Sequence, residues 1–200
     1  IASNWGLSVG LFSLYHEIRG EKKYRIHTTS YHNLSKFKLI ENNLQHATEY
    51  MPVNYLILEQ LLTKLPADAY TGRFLDIGCG KGRALCVAAH AGFTKLTGID
   101  FAKELITDAE KNIDYTKLLF PSTQYNLLWT DICKFEIEPD TSTFFLFNPF
   151  DEVLMKTTVE KIISSQKLHP RPVYIMYASP RFEQLFFEAG FDVVARIKKL

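Results

Sequence analysis

The stretch Asp76-Ile77-Gly78-Cys79-Gly80-Lys81-Gly82 constrains this chain more than any other. Apolar Phe74-Leu75 leads into it, and a helical pattern rich in small residues (Ala84, Ala88, Ala89, Ala91) leads out. Glycine admits backbone angles with φ > 0 and lets a ligand come close to the main chain. A helix that starts at such a loop points unpaired N–H groups at whatever is bound. The stretch therefore predicts a ligand cradle between a strand and a helix, at the carboxyl edge of a parallel sheet.

The rest of the chain agrees with that placement. Strands are expected at Arg73–Ile77, Lys95–Ile99, Gln124–Thr130, Thr143–Phe147, Val173–Tyr177 and Phe191–Ile197. Helices are expected at Gly82–Ala91, Lys103–Ile113, Glu152–Gln166 and Arg181–Ala189. Repeated βα units imply a doubly wound, mainly parallel, Rossmann-like sheet with helices on both faces. The continuous apolar run Thr143–Phe147 reads as a buried central strand. With 200 residues and no linker or low-complexity segment, one domain is expected: a helical extension over 1–70 and a ligand-binding core over 71–200.

Within the extension, Leu7, Leu11, Leu14 and Ile18 share one helical face, and Gly20 with Glu21-Lys22-Lys23 reads as the stop. That face is expected to pack on the domain or on a second subunit, since no basic face accompanies it for a membrane surface. A second helix is expected over Ser35–Ala47, with Leu34, Phe37, Ile40 and Leu44 inward. Pro52 can open a third, whose Leu58, Leu61, Leu62 and Leu65 form its inner face before Pro66.

Composition excludes several classes. A net charge of +1 gives no steering towards nucleic acid. No apolar run nears the roughly 20 residues that span a bilayer. The three cysteines, Cys79, Cys86 and Cys133, form no C-x-x-C pair, which argues against a disulfide framework or a zinc site. A metal-free protein of a reducing, cytoplasmic compartment is the expectation. The first residue is Ile1 rather than methionine, and the natural start is expected upstream.

The glycine spacing also narrows the ligand. A dinucleotide fingerprint runs G-x-G-x-x-G; here the third glycine comes one residue early, and Asp76 stands two before the first. No Walker-type G-K-[ST] is present, because Gly82 follows Lys81. A carboxylate in the loop repels a pyrophosphate and suits a ligand with cationic character or with hydroxyl and amine donors. The pattern resembles motif I, D-x-G-x-G-x-G, of the class I S-adenosylmethionine-dependent methyltransferases.

That resemblance extends from Phe74 to about Phe191 and implies a cofactor site made by Asp76, Gly78, Cys79, Gly80 and Gly82. Asp100, about 20 residues on at the end of the second strand, falls where ribose hydroxyls are accepted. Phe101 beside it could stack on adenine or belong to the core. Asp131 and Ile132, past the third strand, could meet the adenine amine and ring nitrogen, or cap a turn. Asn148-Pro149-Phe150 closes the fourth strand and resembles a motif IV; Asn-Pro is also a turn dipeptide. Asn148 is thus a candidate both for the cofactor and for catalysis, with Pro149 and Phe150 catalytic candidates beside it. Tyr50-x-Pro52 together with Phe74–Arg83 is similar, more narrowly, to non-SET protein-lysine methyltransferases. The amine-methylating signature there is Asn/Asp-Pro-Pro-aromatic, and this chain has one of the two prolines.

The resemblance implies transfer of a methyl from S-adenosylmethionine, leaving S-adenosylhomocysteine, to an amine nitrogen of a protein or small-molecule acceptor. Three other readings stay open: a nicotinamide-dependent oxidoreductase, which the glycine spacing and Asp76 disfavour; a non-catalytic S-adenosylmethionine binder; and an O-methyltransferase.

Overall fold

The computed structural model describes residues 7–29 and 50–197. The helix expected over Ser35–Ala47 lies outside them. The described chain runs α1 (Leu7–Tyr24), α2 (Tyr55–Leu62), a 3-10 turn (Ala67–Thr71), β1 (Arg73–Ile77), α3 (Arg83–Ala91), β2 (Lys95–Asp100), α4 (Lys103–Leu119), β3 (Gln124–Trp129), β4 (Thr141–Leu146), α5 (Glu152–Leu168), β5 (Tyr174–Tyr177) and α6 (Glu183–Glu188).

The five strands form one sheet in the order β3-β2-β1-β4-β5. Every pairing is parallel: Asp76 lies opposite Gly98 of β2 on one side and Phe145 of β4 on the other. The doubly wound expectation holds. Side chains alternate across the sheet, as a pleated strand requires. Phe74 and Phe145 join a core with Leu85, Leu96, Ile106 and Ile113. Leu75, Ile77, Phe144 and Leu146 join a second core with Leu154, Met155, Val159 and Ile162. Helices thus cover both faces, and all six residues of β4 are buried. The chain order reverses between β1 and β4, so their carboxyl ends make the crevice where such sheets bind ligands.

Several boundaries differ from expectation. Helix α1 does not stop at Gly20 but runs through it to Tyr24. Gly20 lies so close to the Tyr55 ring that a Cβ there would collide with it; the glycine serves helix packing, not termination. The expected inner face of α1 also points away from the domain. Leu11, Leu14 and Ile18 are 59%, 54% and 49% exposed. The helix docks instead through Gly20, Tyr24 and the polar Glu17 and Glu21. Helix α2 starts after Asn54, whose side chain accepts the Leu56 N–H, rather than at Pro52. Helix α4 continues past Ile113 because Thr116 keeps its buried face going. The strand expected over Phe191–Ile197 does not form: Phe191 folds back through its N–H onto the Phe186 carbonyl, and Val193 and Val194 stay exposed.

Among the described residues no helix is long and apolar enough to cross a membrane. None of their His, Cys, Asp and Glu side chains form a group of three able to hold a metal.

Candidate cofactor and acceptor site

The glycine loop leaves β1 with three left-handed residues: Gly78 (φ 77°), Gly80 (φ 52°) and Gly82 (φ 77°). L-residues other than glycine resist this region. Two of the glycines are also held by space. A Cβ on Gly78 would lie 2.6 Å from that of Pro149, and one on Gly80 would strike the Tyr50 ring. The loop is stitched to β2, where the Ile99 carbonyl accepts from both Gly78 N–H and Cys79 N–H at 2.9 Å.

Asp100, at the end of β2, completes the cradle. One carboxylate oxygen accepts from Gly80 N–H (2.9 Å) and the other from Ala102 N–H (2.8 Å). The residue is 5% exposed. Burial pushes its pKa up to about 6 in spite of these backbone donors. Asp76 is 3% exposed, and its pKa is pushed well above the usual carboxylate range by burial and by the Asp100 charge. No hydrogen bond to its carboxylate is found among the described residues. Two buried carboxylates facing one space make a site that favours a ligand with cationic or N–H and O–H character.

That space is an open cleft beside the switch point of the sheet. Of the expected residues, Tyr50, Asp76, Gly78, Cys79, Asp100, Phe101 and Pro149 line it. Gly80 and Gly82 shape the loop behind it. Asp131 and Ile132 are not among its lining residues: the Asp131 side chain accepts from Cys133 N–H (2.8 Å), and Ile132 is buried in the α5 core. Phe150 is buried in that same core.

Asn148 sits at the carboxyl end of β4 with φ 46°. Its amide orientation is fixed by two backbone groups of opposite polarity. The nitrogen donates to the Ser179 carbonyl (2.7 Å), and the oxygen accepts from Arg181 N–H (3.2 Å) and from the Tyr177 hydroxyl (2.8 Å). The side chain thus ties the loop after β4 to the loop after β5.

Sequence reading missed further lining residues, among them Met51, Val53, Arg83, Phe145 and Phe147. Arg83 did carry a signal: a lone charge opening the otherwise apolar run Ala84–Ala89. It is 3% exposed, which an arginine tolerates only when fully partnered.

The open parallel sheet, its switch point and the acidic glycine loop define a class I S-adenosylmethionine-dependent methyltransferase. A family model for the methyltransferase domain matches residues 70–189, well over half of the chain, and the chain belongs to that family. No curated protein matches it. Among solved structures, a candidate RNA methyltransferase from Pyrococcus horikoshii is similar with a TM-score of 0.54 at 17% identity, over 89% of this chain and 85% of that one. An RNA methyltransferase from Salinibacter ruber in complex with S-adenosyl-L-homocysteine gives 0.46 at 17% identity, over 66% and 82%. A SAM-dependent methyltransferase from Geobacter sulfurreducens, also with S-adenosyl-L-homocysteine, gives 0.47 at 19%, over 66% of this chain and 53% of that protein. The likeness to the Pyrococcus horikoshii protein speaks for the fold.

Proposed function

We propose that this chain binds S-adenosylmethionine in the Asp76–Asp100 cleft and transfers its methyl to an amine nitrogen, with a lysine-type amine of a protein favoured. The observation that carries the reading is the pair of buried carboxylates, Asp76 of β1 and Asp100 at the end of β2, that flank the glycine loop on the sheet of a methyltransferase family. The donor set fits the ligand. Asp100 suits ribose hydroxyls, Asp76 the amino group of the methionine part, and Phe101 an adenine face. Asp131 and Ile132 are proposed at the far edge of the adenine. The glycines bring the main chain close without an obstructing Cβ.

When bound, S-adenosylmethionine supplies an electrophilic methyl on a cationic sulfur. The protein's part is then mainly orientation, which can be worth several kcal/mol or more. Pro149 closes the cleft against Gly78, and Asn148 is fixed next to it in chain and space. The Asn148 amide oxygen already accepts from Tyr177 and Arg181, so the acceptor proposed for the crevice mouth is the Pro149 carbonyl, where an acceptor would stabilise the N–H of an incoming amine and the ammonium formed. No general base is assigned.

Residues 1–200 are taken as one catalytic domain. A reducing, cytoplasmic setting is proposed because Cys79, Cys86 and Cys133 form no C-x-x-C pair.

The test is incubation with isotope-labelled S-adenosylmethionine and a cell lysate, followed by fractionation. Label in protein, on lysine nitrogen by mass spectrometry, supports the reading. Label in RNA, in small molecules, or on oxygen or carbon replaces the acceptor. Calorimetry that finds NAD bound more tightly than S-adenosylhomocysteine refutes the cofactor.

A further inference from the structure

Arg83 opens α3 directly after the glycine loop, yet its guanidinium points away from that helix into the N-terminal segment. Nε donates to Thr28 Oγ1 (2.7 Å), Nη1 to the Val53 carbonyl (2.5 Å) and Nη2 to Thr29 Oγ1 (3.2 Å). Two carboxylates of α1 neutralise it, Glu17 at 2.8 Å and Glu21 at 3.5 Å. Its plane lies over the Tyr55 ring, 3.9 Å from the centroid. Every polar direction of the fork is used, so one residue fastens three segments to the start of α3.

Thr28 is the point where these segments meet the cleft. Its N–H and hydroxyl donate to Glu21 (2.9 and 2.7 Å), and its carbonyl accepts from the Tyr50 hydroxyl (2.8 Å). Tyr50 in turn lies on Gly80, the residue whose N–H Asp100 accepts. A second tie runs beside it: Asn112 accepts from His27 N–H (2.9 Å) and donates to the Lys81 carbonyl inside the glycine loop (2.9 Å). Burial opposes the Glu21 charge, but donors from Thr28, Tyr55 and Thr29 outweigh it and hold its pKa below the ordinary value.

We propose that Glu21 and Arg83 are positioning residues for the cofactor: through Thr28 they hold Tyr50 against Gly80, so that α1, though remote from the chemistry, sets affinity at the cleft. This rests on the cofactor assignment above. Ionic and hydrogen-bonded contacts that act through one shared residue are coupled, not additive, which makes the chain Glu21–Thr28–Tyr50–Gly80 open to a double-mutant cycle.

The variants are Glu21→Gln, which keeps shape while weakening the charged acceptor, Tyr50→Phe, which removes only the hydroxyl, and the pair. Glu17→Gln serves as a milder second variant should Glu21→Gln fold poorly. Each single change is expected to raise the Kd for S-adenosylhomocysteine by about fivefold to tenfold, in line with the loss of one hydrogen bond to a charged or buried group. The pair should cost little more than the larger single. In the ligand-free protein, hydrogen exchange should quicken in peptides covering Tyr50–Val53 and Gly78–Gly82 and stay unchanged in β4 and β5. A lower Tm with unchanged Kd and unchanged loop exchange would overturn the proposal and leave Glu21 a scaffold residue. So would a pair whose effect is the product of the singles. If the unaltered protein binds no S-adenosylhomocysteine, the cofactor assignment fails, and loop exchange alone then decides the clasp.

Discussion

The two sides of the crevice take left-handed backbone by different means. The loop after β1 uses Gly78, Gly80 and Gly82, for which φ > 0 carries no steric penalty. The loops after β4 and β5 use Asn148 (φ 46°) and Ser179 (φ 48°), non-glycine residues in a sparsely occupied region. The Asn148 amide joins the two, nitrogen to the Ser179 carbonyl and oxygen to Arg181 N–H and Tyr177. The first loop takes its φ values from residue type and is then tied down by Ile99, Asp100 and Asn112. The second is shaped by hydrogen bonds between elements 29 to 33 residues apart. The acceptor side is therefore expected to fail through its supporting network, and the cofactor side through its direct contacts together with the Thr28–Tyr50 tie behind Gly80.

The largest expected effect lies on the acceptor side. Asn148→Ala should cut kcat for methyl transfer by roughly 10²-fold or more, because it removes the bonds that join the loops after β4 and β5 and so misplaces the acceptor. Binding of S-adenosylhomocysteine should change far less. Calorimetry showing the affinity lost instead would mean that the two sides are one unit.

Asp100→Asn probes the cofactor side. It should weaken S-adenosylhomocysteine binding by about 1–3 kcal/mol, the usual cost of mispairing buried polar groups. Its pH dependence sharpens the point. With a folded value of about 6 against an ordinary 3.8, Asp100 contributes apo stability that is full below 3.8 and lost as pH rises through 6. Ligand hydroxyls donating to the carboxylate favour its charged form, so affinity should rise with pH up to about 6 and level off above. In Asp100→Asn this dependence should flatten. Equal pH profiles for the two proteins would assign the titration to another group.

Gly80→Ala should weaken the ligand-free loop and its binding by about 1–2 kcal/mol, the cost of a left-handed alanine, with further loss from the clash with Tyr50. Unaltered binding and Tm would show that the loop yields more easily than its φ of 52° suggests.

Tyr177→Phe is the smallest. It deletes one donor to Asn148 while Arg181 N–H remains. Transfer should slow by about 0.5–1.5 kcal/mol, the net worth of one hydrogen bond, and cofactor Kd should hold. A change in Kd with constant kcat would move Tyr177 to the cofactor side.

The glycine loop and the alternation of strands and helices were legible in the sequence because both are written in local energetics. Glycine at alternate positions permits the left-handed turns that other residues resist, and apolar runs of strand length must be covered on both faces. Asp100 was legible for the same reason, since strand length and crossover length fix its distance from the loop. The direction of α1 was not. Its leucine stripe gave the apolar face, but the charged partners Arg83, 62 residues from Glu21, and Tyr55 drew the opposite face onto the domain. Nor was the link from Thr28 to Arg83, 55 residues apart, or the setting of the Asn148 amide. Spacing along a chain carries the period of an element and the conformation of a turn. Which buried charge meets which carboxylate is decided only when the elements pack, because a guanidinium taken out of water must accept the partners that the fold places around it.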